Sequence, residues 1–300
     1  MTVADLQSLP FSRATDLSSL LREVDALVGA GKKPILLAGG TDFMVEQEMR
    51  KPFASLDADS LPPVIDVSRT PELRGISLAG DVLRIGAATT YLEMERSREV
   101  QDRAPLVARM AKDVGAVTIQ ARGTFGGNLA TASPAADGVA ALAAYDAVIV
   151  VASVRGERRI AMADLQTGYK TSTRADDEVI VAIELPLPRP GSAWYWRKVG
   201  TRRAQAISKV ALGAIAEIDA GQVVRCGLGM ASVAPVTALL PRTRQLLLST
   251  KLASISGEAL DKAVDADVTP IDDVRSTRGY RSHVARAVVR DFARSIGAKV

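Results

Sequence analysis

Two glycine pairs carry the clearest chemical signal in this sequence. Leu36-Leu-Ala-Gly-Gly-Thr-Asp42 closes a short apolar run, and Thr124-Phe-Gly-Gly-Asn128 repeats the pattern much later in the chain. Consecutive glycines at a strand end admit positive φ and remove side-chain bulk, so successive backbone N–H groups can converge on an anion. Thr41 adds a hydroxyl donor. Ser133 before Pro134 reads as the N-cap and first residue of an alanine-rich helix, so the second loop is expected to feed a helix N-terminus, which favours phosphate. Two such loops could grip a diphosphate from both sides. Asp137, one turn into that helix, suits the hydroxyls of a ribityl or ribose chain, or it simply complements the helix dipole. Neither loop has the Gly-Lys-Ser/Thr ending of a P-loop or the spacing of a Rossmann fingerprint, and glycine pairs after strands are also ordinary turns. Gly227-Leu-Gly229 lies inside an apparent strand, where close packing is the reason for glycine.

The rare residues narrow the chemistry further. The 300 residues include one cysteine, Cys226, and one histidine, His283. That leaves no intramolecular disulfide, no structural zinc site and no cysteine-ligated iron–sulfur cluster, so no metal ligands are assigned. A Ser-His-Asp or Cys-His relay would need these two residues, and neither sits in a catalytic motif, which disfavours hydrolase chemistry. Lys and Arg number 38 against 34 acids, and aromatics are only 4%, too sparse for base stacking, so no nucleic-acid partner is expected. Met1 to Pro10 has no basic and apolar leader pattern. The longest apolar stretch, Gly138 to Ala152, is broken by Asp146 and falls short of the roughly 18 to 20 residues that span a bilayer. A cytoplasmic protein without membrane insertion is the expectation.

The elements that must position these loops follow from periodicity. Leu17, Leu20, Leu21, Val24, Leu27 and Val28 mark a first helix after Thr15-Asp16, and Pro34 to Ala38 is a buried strand. Strands are predicted at 64–67, 76–79 and 82–86, the last two a hairpin through Gly80-Asp81, with helices over 90–98 and 104–114. A second hairpin pairs 147–154 with 159–162, and a strand runs over 178–185. Pro186, Pro188, Pro190 and Gly191 mark a linker. Beyond it come strands at 193–199, 207–218 and 223–233, then helices near 236–249, 256–266 and 278–295. The pattern is α+β, and the length and 47% hydrophobic content fit two domains. Arg286, Arg290 and Arg294 on the last helix form a solvated face or a partner-docking stripe.

Leu36-Leu-Ala-Gly-Gly-Thr-Asp42 and Thr124-Phe-Gly-Gly-Asn-Leu-Ala-Thr-Ala-Ser-Pro-Ala-Ala-Asp137 closely resemble the two FAD diphosphate loops of the flavoprotein subunit of molybdenum hydroxylases. That family includes the carbon monoxide dehydrogenase medium subunit and the FAD domain of xanthine dehydrogenase. Supporting matches are Val64-Ile-Asp-Val67, Ile85-Gly-Ala-Ala-Thr-Thr90, Gly168-Tyr-Lys-Thr171, Asp177-Glu-Val-Ile180 and Arg197-Lys-Val-Gly200. Phe125 replaces the family's usual Ile or Val. Thr201 stands where the carbon monoxide dehydrogenase branch has an acid, which tilts the match toward xanthine and N-heterocycle hydroxylases.

The resemblance implies an α+β chain with a two-subdomain FAD-binding region of the vanillyl-alcohol-oxidase type over 1–186, its subdomains about 1–58 and 59–186. A C-terminal domain of the carbon monoxide dehydrogenase flavoprotein type, a three-stranded antiparallel sheet plus helices, would cover 191–296. It implies that Leu36, Leu37, Ala38, Gly39, Gly40, Thr41, Asp42 and Phe43 wrap the diphosphate and adjoining ribityl, with Thr124, Gly126, Gly127 and Asn128 opposite. Thr131 and Asp137 would hold sugar or ribityl hydroxyls. Ile180 would line the adenine side, unless it is plain strand core. Lys198 would approach the pyrimidine edge of the isoalloxazine, unless it is a solvated strand lysine.

The implied function is electron transfer, with no catalytic side chain because the flavin carries the chemistry. Electrons would pass from two-iron two-sulfur clusters on a small subunit through FAD to an external acceptor. The molybdenum cofactor would sit on a large molybdopterin-binding subunit, in a dimer of heterotrimers. Non-covalent FAD is expected, because Cys226 and His283 both lie beyond the linker. A stand-alone flavin-dependent reductase and a non-catalytic nucleotide-binding subunit are the alternatives.

Overall fold

A computed structural model describes residues 10–49 and 62–300. The expected subdomain boundary near 58/59 and most of the Met1 to Pro10 segment lie outside the described residues.

The chain opens with β1 (Phe11–Arg13), α1 (Leu17–Gly29), β2 (Ile35–Leu37), α2 (Thr41–Met49) and β3 (Val64–Asp66). β1 and β2 flank β3 in a parallel sheet. α1 starts where it was predicted: Asp16 is the N-cap and accepts the Ser19 N–H at 2.7 Å. Next come β4 (Ile76–Ala79), β5 (Val82–Gly86), α3 (Tyr91–Arg96), α4 (Arg98–Arg103), α5 (Pro105–Ala111), α6 (Val117–Gln120), α7 (Phe125–Ala130) and α8 (Asp137–Ala144). They are followed by β6 (Val148–Ser153), β7 (Gly156–Ala161), α9 (Met162–Leu165), β8 (Gln166–Gly168), β9 (Thr171–Ser172) and β10 (Val179–Pro186). β8 and β9 form a small hairpin, while β4, β5, β10, β6 and β7 make a five-stranded antiparallel sheet in that order.

Beyond the proline cluster, β11 (Ala193–Val199), β12 (Val210–Asp219) and β13 (Gln222–Ala231) form the antiparallel sheet that the family resemblance implied. α10 (Pro241–Ser249), α11 (Gly257–Asp267) and α12 (Arg278–Ser295) cover one side of it. The arginine stripe on α12 works within this layer. Arg290 grips the Asp261 carboxylate at 2.6 and 2.7 Å, Arg286 lies 3.6 Å from Asp265, and Arg294 pairs with Asp291 at 3.0 Å.

The inner strands β6 and β10 of the central sheet are buried on both faces. Ile149 and Val151 of β6 join the core beneath α3, α5, α7 and α8, while Val150 and Ala152 pack with Leu20, Val24 and Ile65 of the first layer. α8 is apolar all round after Asp137 and every residue of it is buried, as a helix between two sheets must be. Its other neighbour is the C-terminal sheet, where Gly213, Gly227 and Gly229 let β12 and β13 approach its backbone. A Cβ at Gly227 would land on the Ala144 carbonyl oxygen, and one at Gly229 would meet the Ala143 Cβ at 2.6 Å. The packing reading of Gly227 and Gly229 is thereby explained.

Two local expectations need correction. Ser133-Pro134 does not start the alanine-rich helix: the Ser133 hydroxyl accepts the Ala135 N–H in a turn, and the helix begins at Asp137 behind Ala136. Ala132 at φ 47 turns the chain first, so Pro134 serves the turn and not the helix. The run after Gly40 is a helix, α2, for which the sequence analysis has no element because its apolar residues lack a helical period.

Gly227→Val should lower the melting temperature by several degrees, an overpacking cost of about 1–3 kcal/mol or more. Gly29→Ala, where a Cβ meets nothing within 4 Å, should leave melting unchanged or raise it, as scanning calorimetry of the two variants would show.

Candidate functional site

The first glycine loop connects β2 to α2. Gly40 takes φ +74, which glycine adopts without penalty, and its carbonyl accepts the Met44 N–H at 3.1 Å to open the helix. Among the described residues none accepts a hydrogen bond from the N–H groups of Gly39, Gly40, Thr41, Asp42 or Phe43. Five neighbouring donors at one helix start are thus unspent, with the positive end of the helix dipole behind them.

The second loop has a different character. Thr124 is the N-cap of α7 and its Oγ1 accepts the Gly127 N–H at 3.1 Å; Gly126 donates to the Ala87 carbonyl at 2.8 Å, and Asn128 to the Thr124 carbonyl at 3.0 Å. Its amides are therefore already engaged. Its glycines allow close approach instead: a Cβ at Gly126 would lie 2.6 Å from the Ala87 Cβ. Where the sequence suggested two donor-rich loops, the structure has free donors on the first loop and a closely packed wall on the second.

The loops touch. A Cβ on Gly39 would fall on the Arg122 carbonyl oxygen, and the Arg122 side chain donates from Nε to the Gly39 carbonyl at 3.2 Å. Thr131 Oγ1 lies 2.8 Å from Asp42 Oδ2 and 2.9 Å from the Gly127 carbonyl, which ties the start of α2 to the end of α7.

Three cavities meet at Ala38. The first, of about 170 Å³, is an apolar slot lined by Leu36, Val67, Leu73 and Ile180, with Arg174 and Asp176 at its edge. A second, of about 460 Å³, is lined by Leu36 through Phe43 and by Tyr91, Thr124, Gly127, Asn128 and Thr131. The third, of about 640 Å³, opens beyond Gly39 and Thr124 past four arginines, Arg69, Arg74, Arg96 and Arg122. An elongated ligand with an apolar end and an anionic middle fits this chain of spaces.

Asp137 and Lys198 are brought together, but with each other. Lys198 Nζ donates to Asp137 Oδ2 at 2.6 Å and to the Asp113 carbonyl at 2.8 Å, while Ser208 donates to Asp137 Oδ1 at 2.5 Å. Both side chains are 9% exposed. Burial pushes the Asp137 carboxyl up from its ordinary value, against the opposing pull of Lys198 and then Ser208. Trp196 Nε1 donates to Asp113 Oδ2 at 2.9 Å and completes the cluster. Neither Ser208, Asp113 nor Trp196 was foreseen, since nothing in their sequence neighbourhood marks them. Tyr91 was also missed, although it directly follows the Gly-Ala-Ala-Thr-Thr run. Its hydroxyl and Asn128 Oδ1 are buried beside Gly138 without a hydrogen-bond partner.

Residues 8–188 match the family described as the FAD binding domain in molybdopterin dehydrogenase. The chain belongs to that family. Residues 195–296 match the carbon monoxide dehydrogenase flavoprotein C-terminal domain. The Escherichia coli O157:H7 xanthine dehydrogenase FAD-binding subunit is 29% identical over 260 residues, 85% of this chain and 86% of that protein. The carbon monoxide dehydrogenase medium chain of Hydrogenophaga pseudoflava is 29% identical over 272 residues, 89% of this chain and 91% of the other. A solved structure of carbon monoxide dehydrogenase from the same organism, lacking the Mo-pyranopterin moiety, superposes with a TM-score of 0.87 at 25% identity, covering 96% of this chain and 98% of that one.

The unspent donors and the apolar slot suit the FAD of this family. Cys226 and His283 stand apart from them. Cys226 is buried in β13 with its thiol pushed up to about 12 by burial, and His283 is exposed on α12.

Gly39→Ala should separate the loops and cut bound flavin per chain by at least about tenfold, read from the visible absorbance of the purified protein. Lys198→Met leaves a buried carboxylate without its cation and should cost about 3–5 kcal/mol at neutral pH. Because the folded chain holds the Asp137 proton to higher pH than the unfolded chain does, the variant's deficit against wild type should shrink as pH falls through the folded pKa toward 3.8. Melting curves between neutral pH and that value check this, and adding Asp137→Asn should remove the pH dependence.

Proposed function

We propose that this chain is the FAD-binding electron-transfer subunit of a molybdenum hydroxylase complex. The observation that carries the reading is the row of unspent N–H groups from Gly39 to Phe43, facing the cavity that the second glycine loop closes. FAD supplies reversible uptake and release of electrons when bound, and the chain supplies its position, its desolvation and its local charge.

Each residue's role follows from its chemistry. The amides at the start of α2 hold the diphosphate, with Thr124, Gly126, Gly127 and Asn128 as the facing wall. Leu36 and Ile180 hold the adenine in the apolar slot. Thr131 offers its hydroxyl to the sugar chain while staying within reach of Asp42. Lys198 spends two of its three protons on Asp137 and Asp113, which leaves one for the pyrimidine edge of the flavin. Asp137 thereby serves first to fix the lysine and only then to accept from a ribityl hydroxyl. No side chain acts as a general acid or base.

Binding is non-covalent, because Cys226 is sealed in the C-terminal sheet and His283 lies on an outer helix. We further assign 1–186 to the FAD-binding region and 191–296 to the C-terminal domain. The reading places the molybdenum cofactor on a large subunit and two-iron two-sulfur clusters on a small one, assembled as a dimer of heterotrimers in the cytoplasm. An external acceptor takes the electrons. Among the described residues no helix is long and apolar enough to cross a membrane.

Native purification from the source cell, with flavin, iron and molybdenum assayed in the eluate, tests the reading. Co-purifying large and small chains with all three components are expected, and acid precipitation should leave the flavin in the supernatant. Flavin without companion chains or metals would overturn the assignment.

A further inference from the structure

Both ends of the hydrogen bond between Ser208 and Asp137 refer back to one residue, Ser232, which directly follows β13. Ser232 takes φ 68, in the left-handed region that favours glycine, and its polar groups turn in three directions. Its N–H donates to the Pro134 carbonyl at 2.8 Å, in the turn that leads into α8 and Asp137. Its Oγ donates to the Ser208 carbonyl at 2.8 Å. Its own carbonyl accepts from Arg281 Nη1 at 2.8 Å.

Arg281 lies on α12 and is only 3% exposed, a rare place for a cation. The same Nη1 donates to the Lys209 carbonyl at 2.9 Å, and Nη2 donates to Asp273 Oδ1 at 2.7 Å. Pairing of β12 with β13 ends at Ala211 and Ala231, so the guanidinium joins the two segments just past the last rung. It does so at a cost, because its Nε is buried without a partner. An apolar side chain would seat the helix on the sheet without that cost. What it could not do is hold two carbonyls, one on the residue after Ser208 and one on the residue that grips Ser208.

Ser208 matters for what it leaves to the lysine. Its Oγ satisfies Asp137 Oδ1, and Lys198 is needed only at Oδ2. Without that hydroxyl both buried carboxylate oxygens fall to the ammonium, and the proton that Lys198 keeps for the flavin turns to Asp137 instead.

We propose that Arg281 is a positioning residue for Lys198: through the backbone around Ser208 it holds that hydroxyl on Asp137, and so keeps the lysine aimed at the flavin. The inference rests on the FAD reading above. Arg281 itself hydrogen-bonds to neither Asp137 nor Lys198.

The test uses the flavin-loaded full-length chain, with the FAD potential measured by spectroelectrochemical titration. A cation at the pyrimidine edge favours reduced flavin, so Lys198→Met paired with Asp137→Asn should lower the affinity for reduced FAD relative to oxidised FAD. Ser208→Ala and Arg281→Met should each lower that ratio by about tenfold, a fall of about 30 mV for a two-electron couple. Combining R281M with S208A should lower it no further than S208A does, because Arg281 acts only through Ser208. Ser232→Ala keeps the buried cation and removes only the hydroxyl bond to Ser208; it should lower the ratio too, and it carries the test if R281M does not fold. Leu260→Ala truncates a buried side chain of α11 outside this chain of bonds, and should lower the melting temperature while leaving the potential unchanged. A wild-type potential in R281M or S232A would overturn the proposal. So would falls for S208A and R281M that add in millivolts, or an equal fall in L260A, which would mark general loosening. A wild-type chain that takes up no FAD, or a wild-type potential in K198M/D137N, sinks the parent reading and this one together. A lowered potential in K198M/D137N beside an unaltered R281M sinks this one alone.

Discussion

The close seating of α8 on the C-terminal sheet is the contact on which the rest of the arrangement depends. Three glycines, Gly213, Gly227 and Gly229, remove the side chains that would hold β12 and β13 away from the helix backbone. Because half of the helix is alanine, both partners are thin, and the helix and the C-terminal sheet pack closely. The seating fixes the helix N-terminus as well as its body. Asp137 is its first residue, and the strands that carry Lys198 and lead from Ser208 run directly past it. A buried carboxylate would ordinarily be costly there, and the lysine and serine offset that cost only while the sheet stays in contact. Packing and electrostatics therefore enforce each other.

At the near end the constraint is backbone geometry. A helix start leaves several N–H groups without intrahelical partners, and proteins usually satisfy them with a capping side chain. Thr124 does so for α7, accepting the Gly127 N–H. The start of α2 has no such cap, since Gly40 precedes it and offers no side chain. Two superficially similar Gly-Gly loops thus divide the work: one leaves its donors free, while the other spends them to hold a rigid wall. Thr131 and Asp42 bridge the two with a hydrogen bond.

Much of this was legible in the sequence, and the reasons are local. Both hairpins, the first helix with its Asp16 cap and the strand ending at the first glycine pair follow from periodicity and turn chemistry over a few residues. The misreadings have local causes too. Ser133-Pro134 has the composition of a helix start but is taken up in a turn, and α2 hides because its apolar residues follow no helical period. What the sequence could not carry is contact between distant segments. Asp113, Asp137, Lys198 and Ser208 meet only after both domains have folded, and no spacing rule links them. Asp137 was visible from its place after the second glycine loop and Lys198 through family resemblance, but not as partners. Tyr91 and Asn128 likewise share one glycine Cα that belongs to neither motif.

The same long-range character makes the site a reporter of the fold. The groove is walled by the first parallel sheet, by the helices after β5 and by β10, so the first layer and the central sheet both contribute an edge. A ligand that spans it binds the assembled chain and not the unfolded one, and it stabilises the assembled form by about 2.7 kcal/mol when present at a hundred times its dissociation constant. That gain is distributed unevenly. The α2 start is held to the rest by a short parallel sheet, the Arg122 contact and the Thr131 bond, whereas α8 is clamped between two sheets. The first layer therefore has the most to gain from any ligand that meets its free amides, since these are the groups that water must otherwise solvate. The groove then acts as a staple between its least and most firmly held walls, and the loop with the unspent donors lies on the wall that needs it.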